Sequence, residues 1–178
     1  ISSAQIKSSI LLSGLAASGK TVFKEPNESR NHTEKMLSSL GANIQSKTLE
    51  DGSYKVELGG NPVLRSSNIN VPCDPSSAAF IVVAAVICPE SKIELKNIMM
   101  NKGRNGLFKT LEEMGAKINI FNKKNNGGEE TASIIAEYSQ LQGINVPSKR
   151  VPSMIDEYPI LSIAASCAEG KTVMDGIS

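Results

Sequence analysis

The sequence predicts an α/β fold built from a repeated unit of helices and strands, and three observations carry that expectation. A stretch with a polar start, an apolar body and a small-residue stop occurs three times: ISSAQIKSSILLSGLAASGKTV at residues 1–22, DPSSAAFIVVAAVICPESKIEL at 74–95 and IDEYPILSIAASCAEGKTVMDG at 155–176. Aligned on the turn that closes each apolar run, Gly19, Ser91 and Gly170 correspond, at steps of 72 and 79 residues. A second landmark keeps nearly the same step, since Leu40-Gly41-Ala42-Asn43-Ile44 returns 74 residues later as Met114-Gly115-Ala116-Lys117-Ile118. Two landmarks at one period point to an internal duplication, longer than the roughly 20–50 residues of solenoid repeats.

Ser2 and Ser3 are placed to cap a first helix whose apolar positions Ile6, Ile10, Leu11, Leu12 and Leu15 follow a 3.6-residue period. Ser18-Gly19 stops it, because glycine suits the left-handed turn after a helix end. Residues 20–25 read as a strand and 27–30 as a turn; Asn31-His32-Thr33-Glu34 opens a second helix that runs to Leu40 and is closed by Gly41. Strand candidates 43–49 and 54–58 are joined by Glu50-Asp51-Gly52-Ser53, an Asp-Gly hairpin signal, and 68–71 is a further strand candidate. Pro72-Cys73-Asp74-Pro75 is the expected boundary, with one domain over 1–73 and another over 74–178, because two prolines break regular structure where the second copy begins.

Beyond it the order returns: helix 76–88, strand 91–96, helix 105–114, strand 116–121. Residues 122–130 read as an exposed hairpin or loop, 133–137 and 143–146 as strands, 147–152 as a basic irregular stretch, and 155 onward as the third copy of the opening helix. One repeat is thus helix, strand, helix, strand, strand, strand.

Composition narrows the function classes. Nineteen basic and eighteen acidic residues leave a net charge of +1, so no global field recruits nucleic acid or a membrane surface. Three cysteines and a single histidine show no ligand spacing, which argues against a metal site and a disulfide framework. The longest apolar run, residues 78–88, has 11 residues against the roughly 20 that cross a bilayer, and no signal peptide is present, so a cytoplasmic protein is expected. The chain starts without Met inside a motif and stops just after a third strand has begun, which suggests a piece of a longer protein.

Gly14-Leu15-Ala16-Ala17-Ser18-Gly19-Lys20-Thr21 matches the phosphate-binding pattern G-x-x-x-x-G-K-T. That device needs a strand before the glycines and a helix beginning at Lys-Thr, so that helix amides face the phosphates. Here the expected order is reversed, with a helix running into the glycines and a strand leaving them, so the match is read as a structural corner.

A different anion site is available at the polar starts of the repeated helices, where unpaired amides meet the positive end of the macrodipole. Ser2, Ser3, Ser76 and Ser77 add hydroxyls there, Gln5 and Lys7 extend the donor set, and Ser29-Arg30 lies in the turn before the second helix, where a guanidinium can grip phosphate. Any single serine of this set can equally be a helix cap. Asp74 and Asp156 precede the apolar helices of their repeats; each is either a cap or a carboxylate able to take a proton from a substrate hydroxyl, with Glu157 beside Asp156 as an alternative. His32 is expected to cap or lie at the surface, and Lys149 and Arg150 to form a solvated loop.

The segments SAQIKSSILLSGLAA, EPNESRNHTEKMLSSLGA, VPCDPSSAAFIVVAA, NKGRNGLFKTLEEMGAKI and IDEYPILSIAASCAEGKT resemble, in order, the middle of the 5-enolpyruvylshikimate-3-phosphate synthase family, and Ser-Ala-Gln with Ser-Arg-x-His-Thr-Glu resembles its second class. The resemblance implies an inside-out alpha-beta prism of βαβαββ repeats, here partial and spanning the hinge between two domains. It implies transfer of the enolpyruvyl (carboxyvinyl) group of phosphoenolpyruvate to the 5-hydroxyl of 3-phosphoshikimate, with release of phosphate, in the shikimate route to aromatic amino acids. It also implies no cofactor, no metal and a monomeric parent enzyme.

Residue by residue, the resemblance puts Ser3, Ala4 and Gln5 on the triplet that holds 3-phosphoshikimate, with Gln5 also near phosphoenolpyruvate. Ser29 falls on a further contact to the shikimate phosphate, with Arg30 a neighbouring candidate. Asp74 falls on the acidic residue at the hinge, and Asp156 on the carboxylate that binds the shikimate hydroxyls and accepts a proton, leaving Glu157 a bystander. Cys73 stands where the family has Gly, and the family's N-terminal Lys-Ser and Arg and its later Lys-Glu-Ser-Asp-Arg motif are not in the chain. The expectation is a fragment without synthase activity of its own. The UDP-N-acetylglucosamine enolpyruvyl transferase family, a noncatalytic repeat-built protein and a P-loop nucleotidase are the alternatives.

Overall fold

The computed structural model describes residues 2–177; Ile1 and Ser178 lie outside the described residues. The first copy of the repeat runs α1 (Ala4–Gly14), β1 (Lys20–Glu25), α2 (His32–Ser39), β2 (Ile44–Thr48) and β3 (Tyr54–Gly59). The second runs α3 (Pro75–Ile87), β4 (Lys92–Met99), α4 (Gly106–Glu113), β5 (Lys117–Asn126) and β6 (Glu129–Glu137). Both sheets share one order, β1-β3-β2 and β4-β6-β5, so the duplication read from two landmarks is a duplication of connectivity. β3 is antiparallel to both of its neighbours, with Val56 opposite Phe23 and Ser46. β1 and β2 therefore run parallel on either side of it, joined by the helical crossover that parallel strands require.

The chain forms two compact units, Ile1–Asn70 with Asn126–Glu129, and Val71–Asn125 with Glu130–Ser178. In the first, β3 alternates buried and half-buried positions, and its Tyr54, Val56 and Leu58 pack with Leu11, Leu37 and Ala42. In the second, α3 packs Ala79, Val82, Val83 and Val86 against Phe108, Leu111, Ile134 and Leu161.

The repeated landmark has a precise structural meaning. Gly41 and Gly115 sit just past α2 and α4 with φ of +94° and +92°, and each is followed by an amide that reaches back over the last turn, Ala42 N–H to Leu37 O and Ala116 N–H to Leu111 O, both 2.9 Å. Glycine alone takes that left-handed turn without strain, so both copies end the second helix with the same cap.

Several elements differ from expectation. α1 ends at Gly14, five residues before Gly19, which takes no left-handed conformation. Its buried stripe is Lys7, Leu11 and Gly14, while Ile6 and Leu12 are 54% and 49% exposed; the apolar period pointed to the wrong face because a paired lysine and a glycine do the packing. Residues 68–71 alternate like a strand but stay exposed without a ladder for their backbone groups; pairing begins at Cys73, which makes an isolated parallel bridge to Ile98. Cys73 does so without positive φ, so the absence of glycine costs nothing there.

β5 and β6 run through the expected loop and turn at Gly127-Gly128, φ +56° and +86°, the two-residue geometry that matches strand twist. The basic stretch expected to be irregular forms a 3₁₀ turn, Ser148–Ser153, and the third copy opens with another, Ile155–Glu157, before α5 (Tyr158–Ser166), since Pro159 is tolerated only in a first helical turn. Beyond α5, β8 (Val173–Met174) pairs in parallel with β7 (Asn145–Val146).

Candidate functional site

The glycine-lysine-threonine motif is a corner between α1 and β1. A helix precedes it and a strand follows, the reverse of a phosphate-binding loop. Gly14, Thr21 and Lys20 each have a structural use: a Cβ on Gly14 would lie 2.5 Å from Thr21 Oγ1, so glycine lets helix and strand approach, and Lys20 Nζ pairs with Glu57 Oε2 on β3 at 2.9 Å.

The start of α1 is capped and tied to the turn after β1. Ser3, in extended conformation, caps the helix by accepting from Ile6 N–H at 3.4 Å. Ser2 Oγ accepts from Asn27 N–H and donates to Asn27 O, at 3.1 and 2.8 Å, which fastens the helix start to the turn after β1. Ala4, Gln5, Ser8, Ser9, Leu12 and Ser13 of α1, with Arg30 from the turn before α2 and His32 at its start, line an open groove of about 600 Å³. Three of the substrate-binding residues expected from sequence, Ala4, Gln5 and Arg30, thus line one space that a helix N-terminus opens onto, and it can hold an anionic group.

Ser29 is placed differently. Its N–H and Oγ both donate to Glu25 Oε1, at 3.0 and 2.9 Å, and it does not line the groove. Lys7, expected among the donors, is fully buried on the opposite face of α1, where its ammonium meets Glu25 and Glu34 at 3.0 and 2.8 Å. Burial alone would lower its pKa; the hydrogen bonds to Glu34 and Glu25 overcome this, and the ammonium is held above its ordinary value. His32, the first residue of α2, makes no cap; its Nδ1 lies 2.6 Å from Glu129 Oε1, whose Oε2 lies 3.1 Å from Lys35 Nζ.

The second unit holds the remaining candidates at the starts of α3 and α5. Asp74 caps α3, accepting from Ser77 N–H and Oγ at 2.9 and 3.0 Å, with Pro75 in the first turn. Arg104 Nη2 reaches Asp74 Oδ1 at 2.9 Å and Ser76 Oγ at 2.7 Å. Burial pushes the Asp74 carboxyl up, but the Ser77 amide and hydroxyl and Arg104 outweigh it, and its pKa lies below the ordinary 3.8. Ser76 in turn donates to Glu157, which is 3% exposed, while the neighbouring Asp156 is exposed on its 3₁₀ turn. That contact draws the starts of α3 and α5 together, so Asp74 and Asp156 stand at one end of the unit. Arg150, expected in a solvated loop, instead forks onto Glu113 at 2.7 and 2.6 Å and donates to Thr110 at 2.9 Å, anchoring its 3₁₀ turn to α4.

Sequence reasoning missed Glu25, Glu34, Ser8, Ser9 and Arg104. Only Arg104 carried a signal, a basic residue in a glycine turn just before a repeated helix; the acidic pair shows its purpose only once Lys7 is found buried. Among the described residues no three His, Cys, Asp or Glu side chains gather as metal ligands, and no helix is long and apolar enough to cross a membrane.

Comparison with known proteins agrees over the whole chain. The family model described as EPSP synthase (3-phosphoshikimate 1-carboxyvinyltransferase) matches residues 1–178. The 3-phosphoshikimate 1-carboxyvinyltransferases of Bartonella quintana (strain Toulouse) and Chelativorans sp. (strain BNC1) are 50% and 51% identical over 177 residues, 99% of this chain but 40% and 39% of theirs. The EPSP synthase structure from Acinetobacter baumannii aligns with a TM-score of 0.89 at 44% identity, over 97% of this chain and 38% of that one. The chain therefore spans about 40% of the length of the relatives it matches. Its fold is the mixed α/β fold of these neighbours, the inside-out prism, present in part.

Proposed function

Because the chain belongs to the EPSP synthase (3-phosphoshikimate 1-carboxyvinyltransferase) family, we propose that it is the central part of an enzyme that moves the carboxyvinyl group of phosphoenolpyruvate to the 5-hydroxyl of 3-phosphoshikimate, releasing phosphate. The observation that carries this reading is the groove at the start of α1, where Gln5 and Arg30 converge on a helix N-terminus. Amides with the positive helix end favour a phosphate monoester, and the Arg30 guanidinium supplies a fork that matches phosphate oxygens. Ala4 lines the groove, Ser3 caps the helix that opens onto it, and Ser29 sets the turn that carries Arg30. In the second unit Asp156 is the carboxylate for the shikimate hydroxyls and the acceptor of the 5-hydroxyl proton as that oxygen bonds to the enolpyruvyl carbon.

Residues 1–73 are read as the last repeat of the shikimate-phosphate-binding domain, and 74–178 as the first repeat and the start of the next in the other domain. Asp74 belongs to the hinge, where its cap and its bond to Arg104 fix the first turn of α3. The parent enzyme is proposed to be cytoplasmic and monomeric, without metal or cofactor, acting on these two small molecules and not on nucleic acid or membranes.

Thermal stabilisation tests this. 3-Phosphoshikimate at about one hundred times its dissociation constant adds about 2.7 kcal/mol, while magnesium ATP and UDP-N-acetylglucosamine add nothing. Stabilisation by the UDP-sugar alone would assign the chain to the related enolpyruvyl transferase, and stabilisation by magnesium ATP alone would restore the phosphate-binding-loop reading.

A further inference from the structure

We propose that Lys7 is a positioning residue: its buried ammonium holds α1, α2 and the Ser29–Arg30 turn in the arrangement that lets the groove take a phosphate monoester. The inference rests on reading the groove as the 3-phosphoshikimate site.

The Lys7 side chain is fully buried. Its ammonium lies 3.0 Å from Glu25 Oε1 at the end of β1 and 2.8 Å from Glu34 Oε1 on α2, donates to Ser29 O at 3.1 Å, and sits 5.2 Å from the centre of the Tyr54 ring. Lys7 donates to Glu25 and Ser29 and is ion-paired with Glu34, and its complete burial keeps the ammonium from any ligand in the groove. Glu25 Oε1 also takes the N–H and Oγ–H of Ser29. The Ser29 peptide is therefore gripped on both sides, its carbonyl by Lys7 and its amide by the carboxylate that Lys7 neutralises.

Every wall of the groove traces back to this one charge. Ala4, Gln5 and Ser8 share α1 with Lys7, Arg30 follows Ser29 directly, and His32 lies half a turn from Glu34 on α2. Position 7 faces the core beside Leu11, where an apolar side chain would pack at no electrostatic cost. Burying a charge there is expensive unless its partners are arranged around it, and removing it strands two carboxylates. Such a group fixes one geometry where an apolar residue would allow several.

Isotope-labelled wild-type chain is compared with Lys7→Met, Glu25→Gln, Glu25→Leu and Leu58→Ala, reading hydrogen exchange at the Ser29 amide without ligand and calorimetric affinity for 3-phosphoshikimate. Lys7→Met is expected to speed Ser29 exchange and weaken affinity, each by at least about ten-fold, although Lys7 does not face the groove. Glu25→Gln keeps an oxygen for Ser29 and stays within about three-fold of wild type, whereas Glu25→Leu follows Lys7→Met. Leu58→Ala lowers the melting temperature through a core cavity and leaves affinity unchanged. Wild-type affinity in Lys7→Met would overturn the proposal, as would equal behaviour of the two Glu25 variants, which decide the matter if Lys7→Met does not fold. Wild-type chain that fails to bind 3-phosphoshikimate would refute the reading of the groove, while the Ser29 exchange series still judges the clamp.

Discussion

Arg104 and Asp74, thirty residues apart in sequence, are joined by a 2.9 Å bond between Nη2 and Oδ1, and the same nitrogen reaches Ser76 at 2.7 Å. One guanidinium thus braces the first turn of α3 from the loop before α4, beside a Ser76 that also contacts buried Glu157. Replacing Arg104 with Met removes both bonds. A hydrogen bond to a charged group contributes about 1.5–3 kcal/mol, and the half-exposed Asp74 discounts this toward about 1 kcal/mol. Urea unfolding should show a lower midpoint with an unchanged slope.

Acid should reveal this bond together with the separate fork of Arg150 on Glu113. Asp74 and Glu113 both have depressed pKa values, Asp74 because Ser77 and Arg104 outweigh its burial and Glu113 because Arg150 forks onto it. A carboxylate whose folded pKa is depressed contributes its full stabilisation above the unfolded value and loses it as pH falls through the folded one. The melting temperature is expected to hold above the ordinary values of 3.8 and 4.5 and to fall below them. Asp74→Asn should flatten part of that fall; an unchanged acid limb would show that Asp74 is not a contributor.

The corner at Gly14 offers a packing test. Alanine there gains about 1 kcal/mol of helix propensity but must push its Cβ against Thr21, at 2.5 Å from Oγ1, an overpacking that costs about 1–3 kcal/mol. Net destabilisation is expected from Gly14→Ala, with part recovered in the double variant with Thr21→Ala. A cycle of melting experiments should give a coupling of at least about 0.5 kcal/mol; additive effects would deny the close approach.

Arg30→Met and Gln5→Ala test the groove itself. Loss of a charged hydrogen bond from Arg30 should weaken 3-phosphoshikimate binding by about ten- to one-hundred-fold, and the neutral Gln5 by about ten-fold or less. Both effects belong in calorimetric affinity, and for the exposed Gln5 the melting temperature without ligand is expected to stay unchanged.

The 178-residue chain is expected to show no turnover of phosphoenolpyruvate with 3-phosphoshikimate, since it spans about 40% of its relatives and the cationic motifs of the family are not among its residues. Phosphate release above the uncatalysed background from this chain alone would disprove that expectation.

What sequence alone determined is local or periodic. The duplication, the helix and strand order, the Asp-Gly hairpin and the glycine caps at Gly41 and Gly115 follow from backbone preferences over a few residues, and the sheets repeat that order. The reversal at Gly14–Thr21 was equally legible, because helix before glycine and strand after it are both local signals. Tertiary structure decided which face of α1 is buried, that residues 68–71 find no ladder, that Ser29 turns to Glu25, and that Arg150 and Arg104 are anchored rather than solvated. Most of these depend on groups tens of residues apart; Ser29 and Glu25 are only four apart, but their turn is held by Lys7 from α1. Lys7 shows the reason most clearly: a lysine reads as a surface residue until two distant carboxylates and a carbonyl are brought around it, and only folding supplies that environment.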